Sequence, residues 1–364
     1  MSTIGILVPA LGNGDTVLAL VLSTLGVWTF YFLIRRGVQE AAILNRIVTV
    51  AKVIPILVFV LIALFALDPQ VFADNWAGGT DVGSLFQQVR GTMLVTVFVF
   101  LGIEGASVYS RHAKRRKDVG RATVLGLVSV AALFASVTIV SYGILPYREL
   151  ADLRQPSMGG VLEAAVGEWG KVLVSVGLIV SVLGAYLAWT LMSAEVLFVA
   201  AKDDDMPRFL RASDANEVPT AALLMTTLLI QAMLVVTIFS ADAFNFTLDL
   251  TSALSLLPFL FTAGYALRLA ITRETYTEDP RGHGREMAIA TLATIYTVFL
   301  LFAAGPKFIL VSFIVYAPAT ILFVMARREQ GRRLFSPVEL LILAVSVGGA
   351  VAGVVALATG TIAI

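Results

Sequence analysis

Apolar residues in this 364-residue chain gather in long unbroken blocks, with no spacing of two or three to four residues that would mark a single buried face. Ten blocks approach the roughly 20 residues that a helix needs to cross a bilayer. They cover residues 16–34, 41–67, 92–110, 122–145, 171–201, 220–239, 246–270, 287–304, 307–326 and 338–364, and each is predicted to be a membrane-spanning helix. The polar intervals between them are short. Those at 68–90 and 146–170 hold Pro, Gly, Trp76 and Trp169, a composition that suits outer-surface loops carrying short interfacial helices.

Composition agrees with this pattern and narrows the chemistry. The chain is 58% hydrophobic and 14% charged, its mean hydropathy is +0.89, and no polar block is long enough to be a soluble domain. An all-α integral membrane protein with about ten spans in one membrane domain is therefore expected. Residues 1–14 lack the charged start and apolar core of a cleavable signal peptide. The chain has no cysteine, which removes disulfides, thiolate metal sites and thiol nucleophiles. His112 and His283 sit in charged loops with no metal-ligand spacing and read as solvated. Asp203, Asp204 and Asp205 point in different directions on a helix and read as a solvated helix end, with no metal or other cofactor implied.

The net charge of +1 becomes informative only when it is sorted by loop. If the first span runs inward, nineteen Lys and Arg fall in the odd-numbered gaps, including Arg111, Lys114, Arg115, Arg116, Lys117 and Arg121, against five on the other side: Arg90, Arg148, Arg154, Lys171 and Lys307. The positive-inside rule then makes the loop at 111–121 cytoplasmic and the amino terminus external. An external start with so little retained charge is unexpected, and an odd number of additional upstream spans would resolve it.

Three intramembrane features call for a functional explanation. Glu104 lies inside an apolar segment between Gly102 and Gly105, as Gly102-Ile103-Glu104-Gly105. A charge near the bilayer centre costs about 2.5–3.5 kcal/mol, and each flanking Gly weakens a helix by about 1 kcal/mol. A helix broken at this point, with main-chain groups open to a ligand and Glu104 lining an enclosed cavity, accounts for both costs. The alternative is a kinked structural span whose Glu104 is paired with a neighbour.

Asn45, Thr49 and Lys52 share one face of the second span, followed by Pro55. Lys52 is too deep for an ordinary rim cation. Its alternatives are a proton carrier or built-in substitute for a coupling sodium ion, and a side chain that snorkels to the cytoplasmic surface. In the fifth span Gly177, Ser181 and Gly184 form a small-residue packing face, and Trp189, flanked by Tyr186 and Ser193, offers a flat wall to an aliphatic chain and a face to a cation. Glu195 is a second intramembrane carboxylate, open between ion pairing and function.

The run Phe98-Val99-Phe100-Leu101-Gly102-Ile103-Glu104-Gly105-Ala106-Ser107-Val108-Tyr109-Ser110 with the basic stretch after it resembles the sixth helix and following loop of the amino acid–polyamine–organocation transporters. More narrowly, it is similar to bacterial arginine/ornithine antiporters of the basic amino acid antiporter family. Leu187-Ala188-Trp189-Thr190-Leu191 resembles that family's eighth helix, and Asn45 to Lys52 its fifth. The resemblance implies a fold of two inverted five-helix repeats, with substrate at the midplane between broken helices one and six. It assigns 16–67 to two helices of the first repeat, 92–270 to the second repeat and 287–364 to three further helices.

It also implies roles. Carbonyls around Phe98 and Leu101 would receive the substrate ammonium, and the side chains of Phe98, Leu101 and Trp189 would enclose its aliphatic stem. Gly102, Ile103 and Gly105 would form the break. Glu104 would govern gating or proton coupling, and Lys52 would stand where sodium-coupled relatives bind their ion. Phe98 departs from the tryptophan of the best-studied relatives. The Gly-Ser-Gly break that holds the substrate carboxylate in the family's first helix is absent, so the chain is expected to be amino-terminally truncated, beginning at the fourth helix and ending on a thirteenth.

The resulting expectation is a multi-pass plasma-membrane exchanger of arginine for ornithine. Its partners would be the amino acid substrate and the lipid bilayer, not nucleic acid, and a homo-oligomer is compatible with the sequence. The alternatives are a non-transporting fragment and an amino acid/proton transporter of other specificity. An intramembrane enzyme would need a nucleophile–base pair or metal ligands within the spans, and the sequence displays neither.

Overall fold

The computed structural model describes residues 2–12, 14, 16–77, 83–108, 110, 113–153, 156–238, 243–274 and 282–362. His112 and Arg111, read above as loop residues, and the side chain of Asn45 lie outside the described set. The helices in chain order are α1 (Ser2–Leu7), α2 (Val17–Arg35), α3 (Val38–Phe65), α4 (Pro69–Ala77), α5 (Leu85–Phe100), α6 (Gly105–Val108), α7 (Arg116–Ser141), α8 (Tyr147–Asp152), α9 (Ser157–Val166), α10 (Glu168–Lys202), α11 (Thr220–Thr237), α12 (Ala243–Thr272), α13 (His283–Glu329) and α14 (Pro337–Ala358).

Each of the ten predicted spans falls on a helix. Among the described residues seven helical segments are long and apolar enough to cross a membrane, one of them Leu85–Val108, which joins α5 and α6, and the α3–α4 pair passes the same test together but is bent by 103°. Residues 287–304 and 307–326 fall on two helical segments of α13, because Gly305 (φ 74°, ψ 171°) ends the first before Pro306 opens the second. The apolar stretch of α11, Thr220–Val236, is one of the shorter apolar helices. The intervals at 68–90 and 146–170 carry the short helices α4, α8 and α9.

The chain divides into two compact units, one made of Met1–Val82 and Gly102–Phe239, the other of Gly83–Leu101 and Ser240–Ile364. The predicted second repeat, 92–270, thus contributes helices to both.

In the first unit, α10 is the central helix. One of its faces, through Leu187, Ala194, Phe198 and Ala201, packs with Tyr31 and Ile34 of α2, Ala222 and Leu223 of α11, and Leu210 and Val218 of the intervening loop. Its amino-terminal half packs through Val174 with Phe59 and Ala63 of α3, Val140 of α7, and Val161 and Leu162 of α9. The proposed small-residue face does permit close packing: a Cβ on Gly177 would fall 2.5 Å from the Pro55 Cβ and Cγ atoms of α3. Asn75 ties α4 to the segment between α7 and α8. Its amide donates to the carbonyls of Tyr142 (2.7 Å) and Leu145 (2.8 Å) and its oxygen accepts from the Tyr147 N–H (2.7 Å).

Loop acids and the described histidine are more engaged than their sequence context suggested. Asp204 pairs with Arg211, whose Nε also donates to the Ala201 carbonyl at the end of α10. His283 is half-buried, and its Nε2 lies 2.7 Å from the Ala270 carbonyl near the end of α12, so a solvated loop role is corrected to a contact between helix ends.

In the second unit, Leu94 and Val97 of α5, Leu256 of α12, and Leu300 and Ala304 of α13 form the core. Ser252 Oγ donates to the Leu94 carbonyl at 2.8 Å. Helix α14 begins with a Ser336/Glu339 capping box and seats Gly349 on Phe313 and Gly353 against the Leu310 carbonyl of α13.

Candidate functional site

Helix α5 opens on a capping box between Ser84 and Gln87 and runs without interruption to Phe100. It stops because Leu101 turns extended (φ −62°, ψ 136°) and Gly102 takes φ 103°, a conformation costly for any residue carrying a Cβ. Residues 101–104 form the turn, and one further helical turn, α6, follows. The helix break read from the two glycines is therefore present. Because α5 ends here, the carbonyls of its last turn cannot all be met by a continuing helix. That of Phe98 accepts from the Leu101 N–H at 3.1 Å.

Glu104 is half-buried and folds back on the break. Its Oε2 accepts the Gly102 N–H at 2.9 Å, a charge-assisted bond that meets one donor exposed by the turn. The main chain closes around it: Gly105 N–H donates to the Gly102 carbonyl (3.0 Å), and Ser107 and Val108 N–H donate to the Glu104 carbonyl (2.8 and 3.1 Å). Glu104 is thus partnered by main chain of its own turn. Pairing with a neighbour, the alternative named above, is met here by the Gly102 N–H.

The turn is seated on α10. A Cβ on Gly102 would meet Trp189 Cζ2 at 3.4 Å, and a Cβ on Gly105 would meet Met192 Sδ at 3.3 Å. Trp189 faces this way because Leu187, two residues earlier, is fully buried in the opposite face of α10, and a 200° rotation carries Trp189 to the other side. Its indole keeps 40% exposure, which leaves a flat aromatic surface beside the break. Tyr186, one turn earlier, is held edge-on by Phe30 of α2 at 5.1 Å.

Gly102, Ile103, Glu104, Gly105 and Trp189 are brought together in the first unit. Lys52 belongs to the same unit but is not joined to Glu104 by any hydrogen bond or ion pair among the described residues. It stands half-buried on α3, one turn before Pro55. Pro55 meets Gly177, and Phe59 and Val174 share a core cluster, so α3 and α10 run antiparallel. Counting along the pair sets Lys52 level with Ser181, on the small-residue face. Glu195 is buried farther along α10 at 9% exposure.

Phe98 and Leu101 lie in the second unit. Phe98 is 41% exposed, while Leu101 packs against the Leu94, Val97, Leu256, Leu300 and Ala304 core, so its side chain serves packing there. Two residues with structural weight were missed in the sequence. Met192 had a usable signal, its i+3 spacing from Trp189; Asn75 had none, because its partners are 67 to 72 residues away.

Residues 2–326 match the family model described as Amino acid permease. Over 357 residues the chain is 46% identical to the arginine/ornithine antiporter of Pseudomonas aeruginosa, covering 96% of this chain and 74% of that protein. It is 37% identical to the L-lysine transport protein of Corynebacterium glutamicum over 380 aligned positions, covering 100% and 76% of the two chains. Against the arginine/ornithine antiporter of Latilactobacillus sakei it is 33% identical over 369 positions, covering 100% and 77%.

Proposed function

Because the chain belongs to the amino acid permease family, we propose that it exchanges cationic amino acids, arginine for ornithine, across a bacterial plasma membrane by alternating access. The observation that carries this reading is the glycine break at 102–105. It is an interruption of a membrane helix that opens main-chain groups, holds a carboxylate and lies against an exposed indole face.

Each part suits a dibasic amino acid. Carbonyls at the end of a broken helix attract an ammonium. Trp189 offers an apolar wall to the aliphatic stem and a π-face to its distal cation. Glu104 supplies negative charge at the break, and its bond to Gly102 ties its position to the closure of the turn. We assign Phe98 and Leu101 to the same substrate through their carbonyls, and Lys52 to ion replacement or proton coupling. The positive-inside distribution supports a cytoplasmic loop at 111–121.

Counterflow tests the exchange. Liposomes containing the purified chain and unlabelled ornithine should accumulate labelled arginine, and empty liposomes should not. Uptake independent of internal ornithine would overturn exchange. A second reading, lysine as the principal substrate, is favoured by the 37% identity to a lysine transport protein along the whole chain. Competition by unlabelled lysine, arginine and ornithine in the same assay ranks the three.

A further inference from the structure

We propose that Met192 is a positioning residue for transport. Its thioether seats the glycine break against α10 and so sets the geometry at which the break receives substrate. The inference deepens the transport reading and rests on it.

The two glycines that flank Glu104 are glycine for different reasons. Gly102 sits at φ 103°, where the backbone itself disfavours a side chain. Gly105 has no such requirement: it is absent from the residues of positive φ and opens the α6 turn. What surrounds Gly105 is the Met192 sulfur, 3.3 Å from where its Cβ would stand. Its missing side chain therefore marks a contact, one that brings the main chain of α6 directly onto α10.

Trp189 and Met192 are three residues apart, so they project from one side of α10 and touch the two ends of the same short turn. Between these contacts Glu104 closes on the Gly102 N–H. The turn is thus fixed at both ends by α10 and in the middle by its own carboxylate. The two seats differ in kind. The indole is rigid and large, whereas methionine has three rotatable bonds and a polarisable sulfur that fills irregular gaps and follows a moving neighbour. A break that must open and close against α10 needs one end of this second kind. Met192 has no polar partner to satisfy, so packing is the whole of its contribution.

The contact predicts a reciprocal pair of substitutions. Met192→Ala removes the seat, and Gly105→Ala sets a methyl 3.3 Å from the sulfur, close enough that the thioether must give by a few tenths of an ångström and the seat moves with it. Made together, the new methyl on residue 105 occupies the space the thioether left. Each single variant should raise the KM for arginine counterflow roughly three- to tenfold, with a smaller effect on kcat, and the double variant should return to within about twofold of wild type. Met192→Leu, which keeps the volume, should stay within about twofold of wild type.

A double variant whose KM is the product of the two single effects would overturn the proposal, as would singles that melt earlier but keep wild-type KM. If the wild-type chain moves no cationic amino acid at all, the transport reading fails separately. The seat is then decided by the melting midpoints of the same four proteins: coupled midpoints uphold the contact and additive ones reject it.

Discussion

At the residue scale, the informative positions are those where a side chain contradicts its surroundings. Glu104 was conspicuous in the sequence as a carboxylate inside an apolar run, and the structure gives it a partner the sequence could not specify, the N–H of Gly102 two residues earlier. If Glu104 couples protonation to substrate movement, Glu104→Gln should bind arginine yet exchange it more slowly, with a flattened dependence of rate on pH. Stopped exchange measured across a pH series checks this, and an unchanged profile would reject the coupling role. Gly102→Ala tests the backbone instead. At φ 103° a side chain costs about 1–3 kcal/mol, while its Cβ would only touch Trp189 at 3.4 Å, so a lower melting midpoint is expected from the backbone alone. Trp189→Leu should weaken arginine binding by about 1–2 kcal/mol, the scale of a lost packing and cation–π contact. Native-like affinity in calorimetry would remove Trp189 from the site. Lys52 shows the limit of such reading: its depth was legible from its place within the second span, whereas its level along α10 follows only from how α3 and α10 are paired.

At the element scale, most of the fold was legible because a bilayer leaves a helix few alternatives. Apolar length alone located the spans, and glycine at 102 and 105 located the break. What could not be read were the places where a local dihedral or a distant partner overrides length. Gly305 ends one helical segment of α13 and Pro306 opens the next, its missing N–H being one that a helix start leaves unused, so the two predicted spans follow each other with no loop between them. The bend after α3 depends on Asp68 N–H reaching the Gly143 carbonyl (2.8 Å) and on Asn75 reaching the turn after α7, contacts with no trace in local sequence. The pairing of α3 with α10 is open to a direct test at Gly177. A methyl there would fall 2.5 Å from two Pro55 ring carbons, and a ring fixed to the main chain cannot rotate away, so the helices must part. Gly177→Ala should destabilise by about 1–3 kcal/mol, the range for overpacking a tight contact. A melting midpoint equal to wild type would mean that α3 and α10 do not approach as closely as described.

At the scale of the whole molecule, the two units each close a core of their own, and the chain passes from one to the other between Leu101 and Gly102. Within the first unit the glycine break and Trp189 come from segments far apart in sequence, which is why Trp189 was placed beside the break by family resemblance and not by spacing. Orientation in the membrane is the remaining global property, and charge gives the expectation to test. With ten spans, nineteen cations against five is a large bias, and because it is spread over five gaps no single loop determines it. The chain is suited to a direct test because it has no cysteine, so any thiol introduced is the only one. Lys114 and Asp74 are both exposed, Lys114 in the basic stretch before α7 and Asp74 on α4, at the far end of the α7 hairpin. In intact cells an impermeant maleimide should label Asp74→Cys and leave Lys114→Cys untouched, and permeabilising the cells should expose the second. The reverse pattern would invert the topology and place the basic loop outside. Labelling of both in intact cells would mean that the chain inserts in two orientations.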